Sequence, residues 1–296
     1  MKIGCNYEYW QNSFDFTPAQ YLKMAERLAE IGFDVMEISA DHLFQMSDEE
    51  IVALKAAGER LGLSFSTNSG PAKRYDLSSA DSSVREAGIA YFRKVFENME
   101  KLGSPVLVGA IYSYWPTDFT NDPCDKEAAW ERSIACLKIL GEAAGKHHVK
   151  CALEILNRNE TFILTDSTEA LEYVDRIGSP NINILLDTYH MNIEEDNMYE
   201  AIRKVGGRGL LGHVHVGECN RKLPGMNNSI DWKEIGKALR DVNYKGYVVM
   251  EPFLLSGGEV GKSCRVWRDL SGNASAQEMT EMLRTSLVFL RDCLEP

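Results

Sequence analysis

Lys150-Cys-Ala-Leu-Glu154, Ile182-Asn-Ile-Leu-Leu-Asp187, Leu210-Leu-Gly-His-Val-His215 and Tyr247-Val-Val-Met-Glu251 are four short apolar runs, each closing on a carboxylate or an imidazole. Helical stretches near 167–177, 197–205 and 231–242 separate them. Apolar runs of this length, alternating with helices, read as strands of a parallel sheet. The chain upstream continues the rhythm. Lys2-Ile-Gly-Cys-Asn6, Asp34-Val-Met-Glu-Ile38, Leu63-Ser-Phe-Ser-Thr67 and Val106-Leu-Val-Gly-Ala-Ile111 read as strands one to four. Thr17-Pro18 supplies an N-cap with proline at the first helical position, and Ser47-Asp-Glu-Glu50 is a capping-box entry. Further helices are expected over 81–102, 126–147 and 276–292.

Eight strand–helix units in 296 residues, with no linker between them, fit one closed (β/α)8 TIM barrel over 1–296. The structural alternative is a doubly wound open sheet. Its Gly-rich phosphate turn is missing after the first strand, where Asn6-Tyr-Glu-Tyr-Trp10 stands instead. Tyr7, Tyr9 and Trp10 read as pocket, oligomer or packing residues. The Gly- and Ser-rich stretch 256–275 is expected to be an irregular loop at an active site or interface.

Composition narrows the function. Hydrophobic residues make up 44%, normal for a soluble globular protein, and the formal net charge is -12. Such acidity disfavours nucleic acid, whose phosphates need cationic partners, and disfavours an anionic membrane surface. The N-terminus lacks an apolar signal core, and no run approaches the ~20 apolar residues of a membrane span. Seven cysteines, an odd number without a CxxC pair, fit a reducing cytoplasm better than a disulfide framework.

In a (β/α)8 barrel, residues closing successive strands face one axial cavity at the C-terminal rim. Glu154, Asp187, His215 and Glu251 are therefore expected to converge. Three carboxylates side by side repel one another and raise each other's pKa values, a penalty that a divalent cation removes. Three oxygens and one nitrogen suit Mn²⁺, Co²⁺ or Mg²⁺ better than a structural zinc. His213 lies two residues before His215 and shares its face, so periodicity alone does not choose between them. His215 is nearer the strand end and is the better ligand, with His213 left to support or packing. Asn157, Arg158, Glu160, Thr188, His190, Glu218, Asn220 and Arg221 follow these strand ends closely.

The segments Leu153-Glu-Ile-Leu-Asn-Arg158, Leu186-Asp-Thr-Tyr-His-Met-Asn-Ile-Glu-Glu195, Gly212-His-Val-His-Val-Gly-Glu-Cys-Asn-Arg221, Met250-Glu-Pro-Phe253 and Val266-Trp-Arg-Asp-Leu270 resemble the ketose 3-epimerases, the D-tagatose and D-psicose (D-allulose) 3-epimerases. Tyr112-Ser-Tyr-Trp-Pro116 and Gly32-Phe-Asp-Val-Met-Glu-Ile38 fit as well, so the similarity spans essentially the whole chain. The resemblance implies a xylose-isomerase-like barrel with one divalent ion, Mn²⁺ first and Co²⁺ or Mg²⁺ next. That ion would be held by Glu154, Asp187, His215 and Glu251. It implies a homodimer or homotetramer acting on a small free ketose. It further implies that Glu160, His190 and Arg221 grip the C1–C2 end of the sugar, while Trp115 and Phe253 form apolar wall.

The expected reaction is C3 epimerisation, for example D-fructose to D-psicose or D-tagatose to D-sorbose. Glu154 and Glu251 would exchange protons with opposite faces of C3 through an enediolate. Asn6, Phe14, Asn68 and the loop 222–230 depart from the family's usual residues and are expected to face C4–C6. The alternative on the same scaffold is another sugar isomerase or an inosose-type dehydratase.

Overall fold

The computed structural model describes residues 1–121 and 124–295. Eight parallel strands close on themselves in chain order. They are β1 Lys2–Asn6, β2 Val35–Ser39, β3 Ser64–Ser69, β4 Val106–Gly109, β5 Lys150–Glu154, β6 Ile182–Asp187, β7 Leu211–Val216 and β8 Tyr247–Met250. β8 pairs with β1, Lys2 lying opposite Tyr247, so the ring has no free edge.

Helices clothe the ring: α1 Pro18–Ile31, α2 Ala40–Gln45, α3 Asp48–Leu61, α4 Ser82–Leu102, α5 Lys126–Lys146, α6 Ser167–Ile177, α7 Thr188–Glu194, α8 Met198–Gly206, α9 Trp232–Asp241, α10 Gly258–Ser263 and α11 Ala276–Leu294. Both N-terminal signals form as read. Thr17 and Ser47 accept from the backbone three residues on, and Gln20 and Glu50 reach back to complete capping boxes. Along α5 the buried residues Trp130, Ile134, Leu137, Leu140 and Ala144 recur three or four apart, so one stripe faces the sheet.

Three details differ from the sequence reading. Strand four stops at Gly109, where φ of +110° turns the chain; a Cβ there would lie 2.3 Å from the Ser69 carbonyl oxygen. α2 and α7, of six and seven residues, begin directly at strand ends, too short to carry a visible period. The stretch 256–275 is not wholly irregular, because α10 lies within it.

Alternation along the strands positions the site. Val106, Val108, Ala152 and Leu185 form a small apolar cluster inside the barrel, separate from the large core between barrel and helices. Glu154 and Asp187 lie two residues beyond Ala152 and Leu185, so they project from the same inner face at the rim. A register shift at Ile184/Leu185 sets Asp187 opposite His215. No helix among the described residues is long and apolar enough to cross a membrane.

Candidate active site

The four rim residues meet. One ligand atom from each of Glu154, Asp187, His215 and Glu251 lies within 4.8 Å of every other, and all four residues are buried. His215 Nδ1 is 3.3 Å from Glu154 Oε1 and 3.6 Å from Glu251 Oε1. Its other nitrogen, Nε2, sits 2.9 Å from Glu37 Oε1. A proton on Nε2 donated to Glu37 leaves the Nδ1 lone pair aimed into the cluster, the arrangement of a carboxylate–histidine–metal triad. The sequence reading missed Glu37. Its signal was parity: Glu37 stands two residues before Ser39, a strand end facing inward. His213 Nε2 lies 3.3 Å from Glu37 Oε2, and the Ser66 hydroxyl donates to the same oxygen at 2.8 Å. His213 therefore supports Glu37 beneath the rim, apart from the four-residue cluster.

Burial works against charge on His215, Glu154 and Glu251, and the balance shows what the site prefers. Burial alone would lower the His215 pKa. The negative charges of Glu37, Glu251 and Glu154 outweigh it and raise the imidazole well above its usual range. Burial raises Glu251 strongly, with Glu154 adding to the effect, and burial raises Glu154 as well. The cluster thus stabilises positive charge at its centre, and that balance favours a cation there. Three hard carboxylate oxygens and one imidazole nitrogen match a divalent ion of the Mn²⁺, Co²⁺ or Mg²⁺ type, so the donor set fits such a cofactor.

A second group crowns the cluster. Arg221 Nη1 donates to Asp187 Oδ2 at 3.1 Å and to Glu251 Oε2 at 3.0 Å. Its guanidinium lies 3.7 Å from the Tyr189 ring centroid and 5.2 Å from that of Phe253. Arg221 has a left-handed backbone, φ +65°, fixed by its N–H on the Glu218 carbonyl and by the Phe253 N–H on its own carbonyl. Non-glycine residues adopt this conformation where surroundings enforce it, often at functional sites.

His190 Nδ1 accepts from the Asn157 backbone N–H at 3.0 Å, so Nε2 carries the proton. Nε2 lies 3.6 Å from Asp187 and 3.8 Å from Glu154. Burial lowers its pKa to about 3, which keeps the ring neutral. Asn157 and Trp115 donate to the two Glu160 oxygens at 3.1 and 2.9 Å, so Trp115 also orients Glu160 through its indole N–H.

Trp115, Glu154, Glu160, His190, Arg221, Glu251 and Phe253 line one cavity of about 320 Å³, joined by Tyr7, Glu8, Phe14, Ser39, Asp41, His42, Asn68, Ser263 and Cys264. That volume suits a small ligand. The Asn68 amide already donates to Glu251 at 3.2 Å and to Glu37 at 3.4 Å. Two expectations are corrected. Asn6 is fully buried and does not line the cavity; Tyr7 and Glu8 do. The loop 222–230 turns away instead, because Glu218 accepts from the Gly225 and Ser229 N–H groups and Pro224 accepts from Ser286 on α11.

Other polar residues also have structural work. Arg158 pairs with Glu194, and Thr188 donates to the Gly217 carbonyl. Tyr9 bonds the Met279 carbonyl and Trp10 stacks under Arg27, so only Tyr7 of that trio reaches the cavity.

A profile of the xylose isomerase-like TIM-barrel family matches residues 25–285. The D-psicose 3-epimerase of Agrobacterium fabrum is 40% identical over 291 residues, covering 98% of both chains. The ketose 3-epimerase of Arthrobacter globiformis is 32% identical, over 91% of this chain and 90% of its own. Among solved structures, a D-psicose 3-epimerase with D-tagatose from Clostridium cellulolyticum H10 superposes with a TM-score of 0.96, at 39% identity and full coverage of both chains. Sequence, fold and rim geometry therefore agree that the chain belongs to the xylose isomerase-like TIM-barrel family and, within it, to the ketose 3-epimerases, a group of carbohydrate isomerases.

Proposed function

We propose that residues 1–296 act as one catalytic barrel that epimerises free ketoses at C3, interconverting D-fructose with D-psicose and D-tagatose with D-sorbose. The observation that carries this reading is the approach of two carboxyl groups, from β5 and from just beyond β8, to a common centre. Those positions are three strands apart around the ring. A substrate carbon held between them would present one face to each.

Glu154, Asp187, His215 and Glu251 would hold the divalent ion, Mn²⁺ by preference and Co²⁺ or Mg²⁺ on the same donors. Bound there, it would supply Lewis acidity to the substrate oxygens. The protein does the proton chemistry. One glutamate, ionised, takes the C3 proton, and the C–H electron pair moves into the C2 carbonyl to give an enediolate. The other glutamate, protonated, returns its proton to the opposite face as the carbonyl reforms. The pair ends with its protonation states exchanged, ready for the reverse direction.

Arg221 places a fixed positive charge beside the developing oxyanion. His190 offers an N–H, and Glu160, oriented by Trp115 and Asn157, accepts from a hydroxyl at the C1–C2 end. Trp115 and Phe253 would provide apolar surface along the sugar. Asn68 holds Glu251 in place and contributes to the wall. Free sugars are favoured over phosphorylated ones because, among the described residues, the cavity wall has no lysine, and its one arginine is already paired with Asp187 and Glu251.

Incubation with a panel of ketoses in D₂O, followed by NMR, tests the reading. Deuterium is expected at C3 together with formation of the C3 epimer. An aldose or a dehydrated product, or no C3 exchange with any ketose, would reject it.

We further propose a cytoplasmic homodimer or homotetramer. Trp267 supports assembly: it is 76% exposed, three residues beyond Cys264, which lines the cavity. Trp267→Arg is expected to shift the sedimentation profile to a smaller species. An unchanged profile would remove this segment from the interface.

A further inference from the structure

Glu8 is a carboxyl on the cavity wall that the proton-transfer scheme does not use. Its Oε2 is sealed from solvent and has no hydrogen-bond partner among the described residues. Burial raises its pKa to about 8, with the Tyr7 hydroxyl restraining the rise, so the cavity wall favours the protonated form of this group. A neutral carboxyl both donates and accepts, which matches a sugar hydroxyl. A buried carboxyl oxygen left without a partner destabilises a fold, and such groups concentrate where a ligand completes them.

Position says which part of the ligand. Glu160, His190 and Arg221 lie on segments that follow β5, β6 and β7. In a ring of eight strands β1 stands opposite β5, and β2 opposite β6. A ketose held by its C1–C2 end over β5–β7 extends its far end toward the β1–β3 side. Most polar side chains on that side are engaged. Asp41 accepts from Tyr91 at 2.7 Å, His42 meets the Tyr21 hydroxyl at 2.7 Å, and Asn68 donates to Glu251. Glu8 retains unused capacity.

We propose that Glu8 is a specificity determinant, hydrogen-bonding a hydroxyl on C4, C5 or C6 of the ketose; this rests on the ketose reading above. A site built to bond a hydroxyl discriminates strongly against the analogue lacking it, because the protein group is left unpaired.

The test compares kcat/KM for D-fructose with its 4-deoxy, 5-deoxy and 6-deoxy analogues in wild type, Glu8→Leu and Glu8→Gln. Wild type is expected to prefer the parent over one analogue by about 10- to 100-fold. Glu8→Leu should shrink that one ratio at least ~10-fold, and Glu8→Gln, which still donates and accepts, should shrink it less. Parent-to-deoxy ratios that agree among wild type and both variants at all three positions would overturn the proposal. A wild type inactive on every ketose would instead overturn the epimerase reading itself.

Discussion

Replacing Glu154 or Glu251 with glutamine is expected to lower kcat for epimerisation by about 10³-fold or more while metal binding stays measurable. The amide keeps size and one oxygen but cannot exchange the C3 proton. The two variants should differ in a way that a general loss of structure would not produce. Each retains one working carboxyl, facing one side of C3. Glu154→Gln should therefore exchange C3 hydrogen with D₂O for one epimer only, and Glu251→Gln for the other only. Both should exchange without net inversion. Wild-type exchange rates in both variants would show that neither carboxyl is the base.

The barrel and its rim were legible because each of strands five to eight carries its rim residue at, or within one residue of, its end. A strand end in a parallel barrel has only one place to go. Glu37 was not legible in the same way. It lies inside its strand, and its partner His215 is 178 positions away, so contact required the ring to close. Its inward parity with Val35 and Ser39 was the available clue. Glu8 sits in the turn after β1, where no period operates. Proximity along the chain misled at the loop 222–230: Arg221 enters the site, but its left-handed backbone sends the following residues toward Glu218 and α11. Asn6 failed for a related reason. It is a strand end, but the chain carries on as a turn that sets Tyr7 and Glu8 on the cavity wall above it.

Chelation is expected to abolish turnover and to lower the midpoint of thermal unfolding, both reversed by Mn²⁺. The site gathers three carboxylates and, behind them, Glu37, against Arg221 and the two histidines of β7. Without a cation their repulsion is only partly balanced. An ion at 1,000 times its dissociation constant stabilises the folded state by about 4 kcal/mol. For a chain of this size that corresponds to a shift on the order of 10 °C.

Glu37 makes the test specific. It touches the cluster only through His215 Nε2 and the Asn68 amide, so Glu37→Gln should act on the ligand and leave the proton-transfer pair in place. Loss of such a supporting carboxylate weakens metal affinity by about 10- to 100-fold. The Mn²⁺ concentration for half-maximal activity should rise by that factor, with kcat at saturating metal largely recovered. If the metal titration of Glu37→Gln overlays that of wild type, His215 does not depend on Glu37 for its orientation. If chelated enzyme keeps both its melting point and its turnover, the cluster works through Arg221 and its own protons alone, and the metal drops out of the mechanism.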